Sequence, residues 1–184
     1  MTTHYGTHYT VENARLYTLP DEPPPILVAA AGTAATDSAG RIGDGFVGLV
    51  PDPDVIERFE QAGGAGKPRY AQLHVCWAES EQEAVRTAHE WWPNGAFPGN
   101  LFIELPLPSH FEEASKLADP EDVAEGVTCG PDPERHVAAI GEFIEAGYTH
   151  VYVHQVGPDQ EGFFDFYEQH VLPELSSVGV AVGA

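Results

Sequence analysis

Residues 25–50 read PILVAAAGTAATDSAGRIGDGFVGLV. Ile26-Leu27-Val28 is a short apolar run, as expected of a strand covered on both faces. Ala29-Ala30-Ala31-Gly32 then lets the backbone turn closely, and Ala34, Ala35 and Ala39 mark a short helix. A second strand follows near Gly45 to Val50. Strand, small-residue turn, helix, strand is a βαβ unit, and it implies a parallel sheet. Small residues at the start of a helix also let a ligand approach the main chain. A tight crossing without any ligand has the same sequence, so spacing alone leaves both readings open.

The same rhythm continues outward. Before the first strand, residues 1–25 read as an extended lead-in, TVENARLY (Thr10–Tyr17) followed by a proline-stiffened approach at Pro23-Pro24-Pro25. After the second strand, Pro51-Asp52-Pro53-Asp54 predicts a helix with Val55, Ile56 and Phe59 on one face, capped by Asp52 or Asp54. YAQLHVCWA (Tyr70–Ala78) reads as a third strand, and the helix after it carries Ala84, Val85, Ala88, Trp91 and Trp92. Residues 93–119 have the proline, glycine and aromatic content of a long lid-like insertion. Pro131 to Ala146 is an amphipathic helix stopped by Gly147, His150 to Gln155 a last strand, and Gly162 to Leu175 a last helix. The organisation expected is a lead-in at 1–25, a core at 26–175 and a tail at 176–184.

Charge is the strongest compositional signal. Twenty-nine acidic residues against eight basic ones give a formal charge of −21, and Lys67 and Lys116 are the only lysines. Nucleic acid and anionic membrane are disfavoured as partners. Such a chain repels itself in dilute buffer but not at about 1 M salt, where the Debye length is about 3 Å, so a halophilic setting is expected. With 42% apolar residues and no long apolar run, the chain reads as globular without a membrane span, and no secretory signal is visible, which points to the cytoplasm. Cys76 and Cys129 form no CxxC pattern, so buried free thiols are expected rather than zinc or a disulfide.

Three further motifs carry a resemblance: GRIGDGF (Gly40–Phe46), CGPDPERH (Cys129–His136) and VHQVGPDQ (Val153–Gln160). With residues 25–50 they resemble the C-terminal half of the luciferase-like monooxygenase family, most closely its deazaflavin (coenzyme F420) dependent oxidoreductases. The resemblance runs from about His8 to Leu175. It implies an α/β fold, here half of a (β/α)8 barrel with four parallel βα units, since a complete barrel takes about 250 residues. The first four units of the barrel, and the family's proton-handling histidine and acidic residues with them, have no matching positions. No catalytic residue is therefore assigned, and the chain alone is not expected to turn over.

The resemblance also implies a task for the first turn. In relatives the matching loop and helix start hold the phosphate-bearing tail of the coenzyme, which carries over to Ala31, Gly32, Ala34 and Ala35. Coenzyme F420 is the implied cofactor, FMN the alternative, and a small organic molecule the substrate. Three basic positions that bind sugar phosphate in the family's glucose-6-phosphate dehydrogenases correspond to roughly Asp52, Phe102 and Gly126, so a phosphosugar is not expected. A complementary N-terminal half or self-association would cover the open strand edges. A non-catalytic cofactor-binding module is the alternative from another class.

Ligands of such barrels meet the C-terminal ends of strands, so Ala29–Thr33, Gly48–Asp52, Cys76–Glu79 and His154–Gln160 are the candidate rim. His154, Gln155 and Gln160, with Asp159, form the polar cluster expected on the substrate side, although a packed histidine has the same signature. His150 and His154 are i,i+4 on a strand and roughly 13 Å apart, too far to chelate one metal. GxSxG, Walker and HExxH motifs are absent, which leaves redox chemistry.

Overall fold

The computed structural model describes residues 1–99, 101–177 and 179–181, the side chain of Phe102 excepted. Tail residues 178 and 182–184 lie outside the described residues, as does the side chain of Phe102. Strands β3 (Leu27–Ala29), β4 (Gly45–Gly48), β5 (Arg69–Cys76) and β7 (His150–Gln155) form the expected parallel sheet. β3 pairs with β4, β4 with β5, and β7 runs along β5 from Tyr70↔His150 to Val75↔Gln155. A two-residue strand, β6 (Thr128–Cys129), pairs with Val75 and Cys76. Val75 faces both Thr128 and Gln155, and Tyr70 both Val47 and His150, so β4 and β6 share one edge of β5 while β7 holds the other.

Side-chain caps start several of the helices, whereas the first starts without one. α1 (Thr33–Ile42) follows Gly32. α2 (Pro53–Phe59) has Pro53 in its first turn, and the Asp52 carboxylate accepts from the Asp54 N–H at 2.9 Å. It runs into a π-helical turn, Glu60–Gly64, where Gly63 adopts φ +111°. α3 (Glu81–Trp91) is capped by Ser80, and α7 (Pro133–Glu145) by Asp132. Gly147, at φ +101°, ends α7 in the left-handed conformation that glycine adopts without strain. α8 (Gln160–Phe166) is capped by Asp159 and continues through a π-helical turn into α9 (Leu172–Ser177).

The core lies between one face of the sheet and these helices. Phe46 packs on Phe59 with centroids 5.3 Å apart, and Tyr148 joins it to Phe143 of α7. Ala71, Leu73 and Val75 of β5 are buried there. A second apolar cluster holds Cys76, Ala84, Ala88, Val123, Val127 and Cys129 beneath β6. Both thiols are free and buried, and burial raises Cys76 to about 12 and Cys129 to about 11, so neither is a nucleophile at neutral pH.

Two segments differ from expectation. Residues 1–25 are not a single extended lead-in: β1 (Thr2–Tyr5) and β2 (Thr10–Ala14) form an antiparallel hairpin, turned where the Gly6 N–H donates to the Tyr9 carbonyl. Cross-strand pairing, Tyr5 to Glu12 among it, holds a segment whose strands are wholly exposed. Residues 93–119 are mostly helical turns: a 3-10 turn at Pro93–Ala96, then α4 (Leu101–Glu104) and α5 (Pro108–Ser115), before α6 (Pro120–Gly126). A first-turn proline starts the 3-10 turn where composition suggested loop. α5 and α6, each with a first-turn proline of its own, fall where the sequence predicts helical turns, around Phe111 to Leu117 and from Pro120 to Glu125. At the end of α3 the two tryptophans divide: Trp91 is 55% exposed, and Trp92 turns inward.

Candidate functional site

The first two candidate rim loops meet in one cavity. Its volume is about 660 Å³, and Ala29, Ala30 and Ala31 line it together with Leu49, Val50 and Asp52. Gln72 closes it from β5, and Gly99 and Ile103 of the insertion reach over it. Tyr148 forms its floor, donating from its hydroxyl to the Val50 carbonyl at 2.9 Å. Burial, then the charge of Asp52, raises that hydroxyl to about 12, so it stays protonated as a donor. Gly48 is required here: a Cβ would sit 2.1 Å from the Tyr148 oxygen.

At the edge of this cavity α1 begins without a side-chain cap, and its first turn holds no acidic residue. The Thr36 N–H and hydroxyl both return to the Gly32 carbonyl, at 2.9 and 3.0 Å, fixing the turn. Ala31, Gly32, Ala34 and Ala35 are all exposed; Ala31 lines the cavity and the other three lie on the first turn beside it. A Cβ at Gly32 would meet nothing within 4 Å. The outcome is an open, carboxylate-free helix N-terminus in a strongly acidic chain, a ready place for an anion.

The other two rim loops lie elsewhere. Cys76 is covered by β6, and the Gly130 N–H donates to its carbonyl. Gln155 is buried and its side-chain amide is fully used: Oε1 accepts from the Trp77 N–H at 2.8 Å, and Nε2 donates to the Trp77 carbonyl at 3.2 Å. Gln160 donates to the carbonyls of Gly157 and Gln155, and the Asp159 carboxylate accepts from the Gly162 N–H. These side chains fasten the end of β7 to its neighbours. Of the polar cluster, His154 alone lies on the opposite face of the sheet.

There it meets a residue that the sequence did not single out. His74 is its register partner on β5, and the two Nδ1 atoms are 2.9 Å apart. The ring centroids are 5.1 Å apart, a separation reached by pointing these nitrogens at one another, so one Nδ1–H donates to the other Nδ1. Trp92 packs against both rings at 5.1 and 5.2 Å. Burial, then His154, lowers the pKa of His74 and keeps it neutral. His74, Gln72 and Leu49 also line a second cavity of about 430 Å³, together with Gly126, Arg135 and Glu142. No group of three or more His, Cys, Asp or Glu able to hold a metal occurs among the described residues. Nor is any described helix long and apolar enough to cross a membrane.

A parallel βα sheet with its cavity at the strand ends, under an uncapped helix start built of small residues, defines half of an α/β barrel. The chain belongs to the luciferase-like monooxygenase family, whose model matches residues 1–150. It is 28% identical over 182 residues to an F420-dependent glucose-6-phosphate dehydrogenase of Beutenbergia cavernae, covering 92% of this chain and 54% of that one. A protein of the same name from Kineococcus radiotolerans is 30% identical over 186 residues, with 92% and 54% covered. The chain thus spans about half the length of the curated relatives it matches. Among solved structures, an F420-dependent secondary alcohol dehydrogenase bound to an F420-acetone adduct superposes with a TM-score of 0.76 at 21% identity, over 93% of this chain and 55% of that one. The F420-dependent tetrahydromethanopterin reductase of Methanopyrus kandleri gives 0.57 at 22%, over 82% and 50%. These neighbours establish the barrel fold.

Proposed function

We propose that the chain is the coenzyme-tail-binding half of an F420-dependent oxidoreductase that acts on a small organic substrate in a salt-rich cytoplasm. The observation that carries this reading is the uncapped start of α1 beside the 660 Å³ cavity. Relatives named for coenzyme F420 support it. Main-chain N–H groups at Gly32 to Ala35 would hold the phosphate-bearing tail, and the small side chains of Ala31, Gly32, Ala34 and Ala35 leave room for it. The residues fit the group, because the space over Gly32 is open and no carboxylate stands in the first turn. Bound there, the deazaflavin would supply hydride chemistry.

The chain's own residues do the rest of the work on this side of the site. Tyr148 and Gly48 set the cavity floor, while Gly99 and Ile103 in the 93–119 insertion exclude water from above. On the substrate side stands His154, held in its tautomer by His74, with Gln155 and Gln160 fixing the strand end beneath it. Asp52 in the cavity wall opposes an anionic substrate, which disfavours a phosphosugar. Turnover requires the complementary half of the barrel, and residues 26–175 form the unit that it would complete.

A fluorescence titration with coenzyme F420, run in parallel with FMN, tests the reading. Gly32→Asp places bulk and a negative charge against the tail and should abolish binding, whereas Gly32→Ala should retain it. Unchanged affinity in Gly32→Asp would show that the turn is only structural.

A further inference from the structure

Alternation gives every strand of the sheet a second face. Leu27 and Ala29 of β3, Val47 of β4, Tyr70 and Gln72 of β5 and Tyr152 of β7 are linked by register, so they point away from the helices. Trp92 at the end of α3, with Gly99 and Ile103 of the insertion, closes over the C-terminal ends of these strands. Toward the other end the face is bare: Leu27 is 38% and Tyr152 63% exposed. Including His74, His150 and His154, the strand residues on this face carry no Asp, Glu, Lys or Arg, in a chain with 29 acidic residues. β3 and β7 each keep one edge without a strand partner among the described residues.

We infer that this face binds a second copy of the chain, with β3 of each copy beside β7 of the other. Charge selects the occupant. Two copies at −21 repel wherever carboxylates face one another, and they approach most easily through the strand residues of this face, which carry none, although Asp52, Glu125 and Glu142 line the two cavities that Gln72 shares with it. Topology agrees. A two-fold axis along the strands brings β3 to the partner's β7 and β7 to the partner's β3 in one operation, with every strand still parallel. The interface is isologous and closed, and it removes both edges at once. Four sheet strands from each copy make eight, a number at which side chains fill a barrel's interior. Tyr70, stacked on His150 at 4.4 Å and on Tyr152 at 5.7 Å, offers a rigid aromatic platform that loses little freedom when covered. The inference goes beyond the coenzyme reading but shares a surface with it: Ala29, Val47 and Gln72 also line the coenzyme cavity, and the complementary half invoked for turnover would occupy the same face, so the second copy is its occupant in the absence of that half.

Light scattering on the full chain in molar potassium chloride, across a range of concentrations, tests it. The expected mass is twice the 19.9 kDa of one chain. Tyr152→Asp puts a carboxylate in the middle of the face and should give a monomer with unchanged circular dichroism. Phe164→Asp, at an exposed site on α8, should leave the dimer intact. Hydrogen exchange of the wild-type chain gives a second measure: amides of β3 and β7 should gain protection on concentration. A monomer at every concentration, a dimer undiminished by Tyr152→Asp, or edge amides indifferent to concentration would overturn the inference. So would one-to-one capture of the chain by the N-terminal half of a relative without any self-association.

Discussion

His74 and His154 lie eighty residues apart in sequence and share a single hydrogen between their Nδ1 atoms at 2.9 Å. The pair can exist only while at least one of those nitrogens is bare. A second proton would set two N–H groups against each other under the ring of Trp92.

Stability should therefore fall in acid. Burial, then His154, lowers the folded-state pKa of His74, so the unfolded chain binds the extra proton first. The contribution is complete above about pH 6.5 and is lost as the pH falls through the folded value. Elsewhere around His74, Glu125, Arg135 and Glu142 share its cavity, and Tyr152 and His150 follow on β7. His136 is lowered by burial too, and it bonds Tyr167 and Gly130 in the core. Thermal midpoints measured between pH 5 and 7.5 should drop toward acid, and His74→Gln should remove up to one proton's share of the slope, about 1.4 kcal/mol per pH unit. An unchanged slope in that variant would contradict the shared-hydrogen geometry.

Gln155→Met keeps side-chain volume but strands the Trp77 N–H and carbonyl without partners. A loss of roughly 2 kcal/mol or more is expected in denaturant unfolding. A loss below about 0.5 kcal/mol would mean that water replaces the amide.

Gly48→Ala should destabilise by about 1–3 kcal/mol, because the added methyl displaces the Tyr148 hydroxyl from the Val50 carbonyl. Tyr148→Phe loses the hydrogen bond alone and should cost only about 1 kcal/mol. Chemical denaturation of both variants orders the two effects; a reversed order would show that the site relaxes freely.

Folding should need salt. At −21 the chain is held apart by its own carboxylates, and the described ion pairs, Arg58–Asp37 and Arg135–Glu81 among them, are too exposed to compensate. Circular dichroism across a potassium chloride series should show cooperative unfolding as salt is diluted. A fully folded chain in dilute buffer would exclude the halophilic reading.

Hydride transfer by the chain alone should be undetectable, since it lacks both an assigned acid–base group and a closed pocket. Adding a separately expressed N-terminal half from a relative should restore it. Turnover by the purified chain would refute the requirement for a complementary half.

The four main strands and the helices between them were legible because apolar runs, proline starts and glycine stops agree over each βα unit. The span of β7 was readable to the residue, as its alternation is bounded by Thr149 and Gly157. Parity within that strand separates His154 from Gln155, because neighbours on a strand face opposite sides, so the expected cluster of His154 with Gln155 and Gln160 does not come together on one face. His74 was hidden for another reason: its partner is named by sheet register, which no local pattern states. β6 is two residues long and has no period to detect, and the hairpin at the N-terminus is held by cross-strand pairing rather than by burial. At the β3 edge of the sheet, small side chains mark the Ala29–Thr33 turn, and the resemblance alone carries a coenzyme-tail role to Ala31, Gly32, Ala34 and Ala35, whereas Tyr148 and Gln72 enter the cavity from strands and loops far along the chain.

β5 accepts β4 and β6 along one edge and all of β7 along the other, so no strand pairing of the sheet runs through the lid at 93–119, which is a loop inserted between α3 and α6. Loop closure grows only logarithmically, about 0.6 kcal/mol for each doubling of length. Residues can be added to or removed from that loop with almost no thermodynamic penalty to the sheet, provided that Trp92 stays over the histidines and Thr128 reaches Val75. The sheet is thus indifferent to the length of its lid, and a lineage is free to reshape what enters the cavity while the strands below keep their register.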